Sequence, residues 1–185
     1  MKDTGTQIIP TERFILRRFT TDDAQAMFKW ACDNDVTRYM NWDSHKSIET
    51  TKYIISTWVA CYKKDDFYLW AITNKNSNEP IGSIDYHDIN KRIESLEVGF
   101  CLLKKYWKQG IMTEVLKTTN DYMLNIADYN RIEGFCDIEN KSSAKVMQKC
   151  GMIYEGVRRH GGKYDDGHFC DVDVYSIIKA DIKKI

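Results

Sequence analysis

Proline is nearly absent from this chain: two in 185 residues, at positions 10 and 80. With no Ser- or Gly-rich linker either, nothing marks a boundary between domains, and one domain over 1–185 with a sizeable single core is expected. Net charge is also missing, because 27 Lys+Arg stand against 27 Asp+Glu. Bulk electrostatics therefore gives no reason to invoke nucleic acid, and any basic patch must be local. No apolar run is long enough to span a bilayer, and no secretory signal opens the chain, so a membrane partner is not expected. The six cysteines, at 32, 61, 101, 136, 150 and 170, form no CxxC pair. Buried reduced thiols in the cytoplasm are the economical account. His160, His168 and Cys170 lack tight ligand spacing and a fourth partner, so no metal is expected.

What is present centres on one stretch. Leu96-Glu97-Val98-Gly99-Phe100-Cys101-Leu102-Leu103 is an apolar run with one acidic interruption, which reads as a buried strand. A basic, aromatic turn, Lys104 to Lys108, leads to Gly110. From there Ile111, Met112, Val115, Leu116, Thr119, Met123 and Ile126 recur at helical spacing. A strand passed through a short turn into a helix N-terminus makes an anion site, because the first-turn N–H groups lack intrahelical partners and the helix dipole adds positive potential. Gly110 lets the backbone come close to a phosphate. An ordinary strand-turn-helix without a ligand would have the same pattern.

Around this stretch the chain reads as a mixed α/β layout. A lead-in, Met1 to Pro10, precedes a strand over 11–19 and a helix carrying Ala24, Met27, Phe28 and Ala31. Residues 33–47 form a loop with Tyr39, Met40, Trp42 and His45, either an acceptor pocket or a loop folded on the core. A helix from Ser47 to Tyr62 follows, then strands at 67–73, 81–86 and 93–103. After the helix from Gly110 come a strand at 130–138, a helix at 140–150 ended by Gly151, and a hairpin at 152–164 and 168–178 turning through Asp165-Asp166-Gly167.

Tyr106-Trp107-Lys108-Gln109-Gly110-Ile111-Met112-Thr113-Glu114 resembles the pyrophosphate turn of GNAT-type N-acetyltransferases, in particular the RimJ/RimL-like branch that acetylates protein N-terminal amines. That branch typically reads Tyr-Trp-Gly-Gln-Gly-Ile-Ala-Thr-Glu. Lys108 thus replaces a Gly and Met112 a small residue, both where backbone amides face phosphates; the Lys cation would partly offset this. Thr11 to Ala24 is similar to the way such chains begin, and Asn140 to Met152 is similar to the family segment Asn-x-x-Ser-x-x-Val-Leu-x-Lys-x-Gly-Phe. The element order matches across nearly the whole chain. The resemblance implies a mostly antiparallel central sheet of about seven strands flanked by about four helices, with acetyl-CoA as cofactor.

It also implies site residues. Backbone N–H groups from Lys108, Gln109, Gly110, Ile111, Met112 and Thr113 would hold the diphosphate, and Phe100, Cys101 and Leu102 the pantetheine arm beside a splayed strand. Asn140 would orient the cofactor and the Ser143 hydroxyl would protonate the leaving thiolate. Many members place a Tyr where Met147 stands, and Met lacks that proton. Glu97, flanked by Leu96 and Val98, is the general-base candidate: a carboxylate near a core gains proton affinity. Strand alternation equally permits Glu97 on a solvent face, and Asn140 with the serines is equally a helix cap. The acceptor is expected to be a protein N-terminal amine, with a small amine such as a polyamine or antibiotic as the alternative. A non-catalytic acyl-CoA sensor would fit Lys108, Met112 and Met147. A monomer and a homodimer are both open.

Overall fold

The computed structural model describes residues 1–164 and 166–182. Asp165, the first residue of the predicted hairpin turn over 165–167, and the last three residues of the expected domain lie outside the described residues. Helices α1 (Ala24–Ala31), α2 (Asn34–Thr37), α3 (Ile48–Cys61), α4 (Ile111–Asp121), α5 (Lys141–Lys149) and α6 (Lys179–Ile182) surround one eight-stranded sheet. Its strands are β1 (Ile9–Pro10), β2 (Phe14–Arg17), β3 (Tyr68–Asn74), β4 (Pro80–Asn90), β5 (Ser95–Leu102), β6 (Arg131–Asp137), β7 (Ile153–Lys163) and β8 (Phe169–Ile178), in the spatial order β1-β2-β3-β4-β5-β6-β8-β7. About seven strands were expected; the eighth is β1, drawn from the supposed lead-in. That segment is tied down at Lys2 N to the Ala127 carbonyl (2.6 Å) and from Trp70 Nε1 to the Gln7 carbonyl (2.6 Å).

Alternation along β3 builds both faces of the molecule. Tyr68, Trp70 and Ile72 enter a core shared with α4 and α5, while Leu69 and Ala71 enter one shared with α1 and α3. A strand buried on both sides needs apolar residues throughout, which is why Tyr68-Leu69-Trp70-Ala71-Ile72 lacks a polar phase. The α4/α5 side is called the back here and the α1/α3 side the front. On β5, Leu96, Val98 and Leu102 point back and Cys101 points front. Gly134 on β6 makes room for α5: a Cβ there would lie 2.6 Å from Met147 Sδ. Met147 is accordingly a core residue. Beyond Asp121 the helix loosens into a π turn over Tyr122–Ile126, which leaves Ile126 exposed despite its helical spacing.

Every strand pair is antiparallel except β5 with β6. Those two are parallel, so the helices that follow them, α4 and α5, both begin at one end of the sheet. Their pairing covers only Ser95–Arg131, Leu96–Ile132 and Glu97–Glu133. Beyond Glu97 the two strands part.

Candidate active site

The turn between β5 and α4 is shaped by two residues in the left-handed region, Lys108 at φ 60° and Gly110 at φ 73°. Trp107 closes its near side by donating from Nε1 to the Leu102 carbonyl at 2.7 Å. Glu114, in the first turn of α4, accepts from Thr11 Oγ1 (2.6 Å), Arg13 N (2.8 Å) and Arg13 Nε (2.6 Å). Burial alone would raise its proton affinity, but the bonds from Thr11 and Arg13 outweigh it and hold the carboxyl below its ordinary value. Arg13 also donates from Nη1 to the Gln109 carbonyl (3.2 Å), and Gln109 Nε2 to the Lys105 carbonyl (2.9 Å). The Lys105 and Gln109 carbonyls of the frame are thus bonded.

Among the described residues, no N–H from Lys108 to Thr113 donates to a protein acceptor, and Gly110 offers no side-chain cap. A helix end accounts for the orphan groups at Ile111, Met112 and Thr113; the two left-handed residues extend the row by three more. Successive free N–H groups at a helix N-terminus form a concavity for an anion. Lys105 and Lys108 are the cations of this turn, while Arg13 is paired with Glu114 and Lys104 with Asp35 on α2. Met112 is buried with Ile111 in the back core, so its side chain takes no space from the turn.

The gap between β5 and β6 adjoins this turn. Leu103 donates to the Ile81 carbonyl toward β4 (2.8 Å), so by ladder alternation Cys101 also faces β4, across from Ser83. Phe100 and Leu102 therefore turn their N–H groups toward the gap. Of the three residues expected along a bound arm, two present amides there and the Cys101 amide belongs to the ladder.

Glu97 stands on the front face at the last paired position before the gap, its side chain 28% exposed. It is neither in the core nor on an open surface. His87 of β4 lies directly across, with Nε2 3.7 Å from Glu97 Oε1, and its Nδ1 meets Asp85 Oδ2 at 2.7 Å. Asp85 first, and Glu97 after it, raise the His87 pKa to about 10 against the effect of burial. Gly99 gives the Asp85 carboxylate its place, since a Cβ there would lie 3.0 Å from Oδ1. Sequence reasoning singled out neither: it passed over Asp85 inside the strand and, by ending that strand at Tyr86, left His87 outside it. The polar phase Ser83, Asp85, His87 against apolar Ile84 and Tyr86 was the available signal.

Asn140 is the N-cap of α5, its Oδ1 accepting from Ser143 N at 3.2 Å. Ser143 is half-buried. Because Ala144 and Met147 anchor α5 in the back core, Ser143 and Glu97 stand on opposite faces of the sheet, with the gap between them. They share no contact.

Beside this end of the sheet lies a cleft of about 680 Å³. Two segments far apart in sequence line it: Asn34 to Lys46, including Tyr39, Met40 and Trp42, and His160 to Asp171 of the β7–β8 hairpin. Asp137, Ile138 and Glu139, between β6 and α5, complete the lining. Tyr164 donates to Asp137 Oδ2 at 2.7 Å, pinning the hairpin to the end of β6. His168 is held by Asp166 (2.6 Å), and His160 stacks on Phe169.

The sequence matches the model of the acetyltransferase (GNAT) domain over residues 13–153. It is 31% identical to the uncharacterised N-acetyltransferase YoaA of Bacillus subtilis over 172 residues, 93% of this chain and 97% of that protein. In structure it is similar to a GNAT-family acetyltransferase of Bacillus anthracis, with TM-score 0.83 and 24% identity over 94% of this chain and 99% of that one. It is also similar to the ribosomal α-N-protein acetyltransferase RimL in complex with coenzyme A, with TM-score 0.80 and 20% identity over 93% and 98% of the two chains.

Proposed function

The chain belongs to the GNAT acetyltransferase family, and from that premise we propose that it acetylates the N-terminal amine of a protein, a ribosomal protein in the first instance. It is an N-acetyltransferase and its acyl donor is acetyl-CoA. The observation that carries the acceptor reading is the cleft between the α1–α3 connection and the β7–β8 hairpin. Its rim of exposed charged and aromatic residues, Arg38, Lys46, Glu139, His160 and His168 among them, suits the end of a polypeptide. The fold shared with RimL, whose name assigns it ribosomal α-N-protein acetylation, supports the same reading.

The residues present fit the cofactor. The N–H groups from Lys108 to Thr113 would hold its diphosphate, the Phe100 and Leu102 amides its arm, and Asn140 would orient it. Bound there, acetyl-CoA supplies the activated acyl group. Glu97 then takes a proton from the acceptor ammonium onto Oε, directly or through one water. Ser143, at the start of α5, is the hydroxyl that returns a proton to the leaving group. One of the Phe100 and Leu102 N–H groups would be a fixed donor for charge developing on the carbonyl oxygen. No helix among the described residues is long and apolar enough to cross a membrane. We place the protein in the cytoplasm, in keeping with six cysteines free of disulfides.

The test is coenzyme A release with acetyl-CoA and a panel of N-terminal peptides, polyamines and aminoglycosides. The reading expects the highest kcat/KM on peptides whose only free amine is the α-amine. Faster turnover of a polyamine or an antibiotic would overturn the acceptor assignment. Tight acetyl-CoA binding without turnover on any amine would favour the sensor.

A further inference from the structure

We propose that His87, clamped by Asp85, is a positioning residue for Glu97, keeping that carboxylate ionised and aimed across the front of the sheet while an amine is deprotonated. The inference rests on the reading of Glu97 as the base. Three observations converge on it. Asp85, His87, Glu97 and Gly99 share the front face of one antiparallel pair, with His87 opposite Glu97 and Asp85 opposite Gly99. The 2.7 Å bond from Asp85 to Nδ1 fixes the ring, which turns Nε2 toward Glu97. The absent Cβ at Gly99 is what lets Asp85 sit between the strands.

The charges around the ring make its proton matter. β4 contributes Asp85 and Asp88, β5 contributes Glu97, and β6 contributes Glu133 in register beside Glu97. Glu133 has its own cation, Arg131 at 2.9 Å, which also binds Glu155 of β7 at 2.5 Å. From β3 this face receives Leu69, which is uncharged. Among the described residues, Asp85, Asp88 and Glu97 thus have the imidazolium as their common counter-charge. At 3.7 Å the contact to Glu97 is longer than a hydrogen bond. It therefore favours the charged carboxylate without engaging the lone pair that takes the substrate proton. In the step itself an N–H bond of the ammonium breaks and an O–H bond forms on Glu97, and His87 keeps its own protons throughout.

Removing the cation leaves the carboxylates to repel one another, so Glu97 would hold its proton to higher pH. The experiment is the pH profile of kcat/KM for wild type and His87→Gln, with NMR titration of the His87 ring in the cofactor-free protein. In His87→Gln the acidic limb should move up by about one unit, giving about a tenfold loss below the limb and a small loss on the plateau. The ring should titrate well above its ordinary value in wild type and fall in Glu97→Gln. His87→Asn should shift the limb the same way, which covers the case in which His87→Gln does not fold. A uniform loss at every pH, or a ring titrating at its ordinary value, would overturn the proposal. Full turnover in Glu97→Gln would instead remove the base assignment, whatever the ring resonance does.

Discussion

Two left-handed residues, two positions apart, should respond to substitution with opposite sign. Gly110 has φ 73°, and a Cβ there would meet nothing closer than Arg13 Nη2 at 3.9 Å, so Gly110→Ala costs conformational strain without a clash. An L-residue in this region costs roughly 1–2 kcal/mol, offset by about 0.4–1 kcal/mol from the stiffer unfolded chain. The net is a loss of about 1 kcal/mol, or about 2–4 °C in Tm for a chain of this size. Lys108 already carries this strain at φ 60°, so Lys108→Gly should raise the Tm of the free protein by a similar or smaller amount. Coenzyme A at about a hundred times its Kd adds roughly 2.7 kcal/mol to wild type, about 5–11 °C on the same scale. If the Ala methyl displaces one charge-assisted bond in the turn, worth about 1.5–3 kcal/mol, most of that ligand shift disappears. The assay is differential scanning fluorimetry of both variants with and without coenzyme A. A Gly110→Ala protein that loses Tm as expected yet keeps the full ligand shift would refute close approach at this turn.

Gly134→Ala should lower Tm through overpacking on Met147 Sδ, by about 1 kcal/mol because the obstructing atom lies near the end of a flexible side chain. Asn140→Ala removes the bond to Ser143 N and should cost about 1 kcal/mol in thermal unfolding. Ser143→Ala keeps that cap, so it should leave Tm unchanged and lower kcat about a hundredfold or more; intact kcat would remove its role. The His87 value is raised on folding, so its contribution to stability is complete below about pH 6.5 and fades as pH rises through about 10. The Tm difference between wild type and His87→Gln should narrow over that interval, and a constant difference would contradict it.

The strand-turn-helix at the centre was legible because each of its parts is local. Gly110 and the apolar spacing after it set the start of α4, and Gly151 takes φ 82° just past α5 as its position implied. The parting of β5 from β6 was not legible. It depends on where a pairing between residues 95–97 and 131–133 stops, and no local pattern encodes that. For the same reason the loop at 33–47 and the closing hairpin read as separate features, although the fold closes one cleft from them. The first ten residues misled for another reason. Their apolar spacing follows no period, because they are held by single bonds to Phe67, Trp70 and Ala127. His87 was lost because the strand was ended at Tyr86, while β4 runs on to Asn90.

Backbone NMR of the protein titrated with coenzyme A tests most directly whether the six N–H groups from Lys108 to Thr113 grip the diphosphate. The amide resonances of Lys108 to Thr113 should undergo the largest shifts and become slow to exchange with solvent. Saturating binding that leaves those six amides unmoved, with the largest shifts elsewhere, would contradict it.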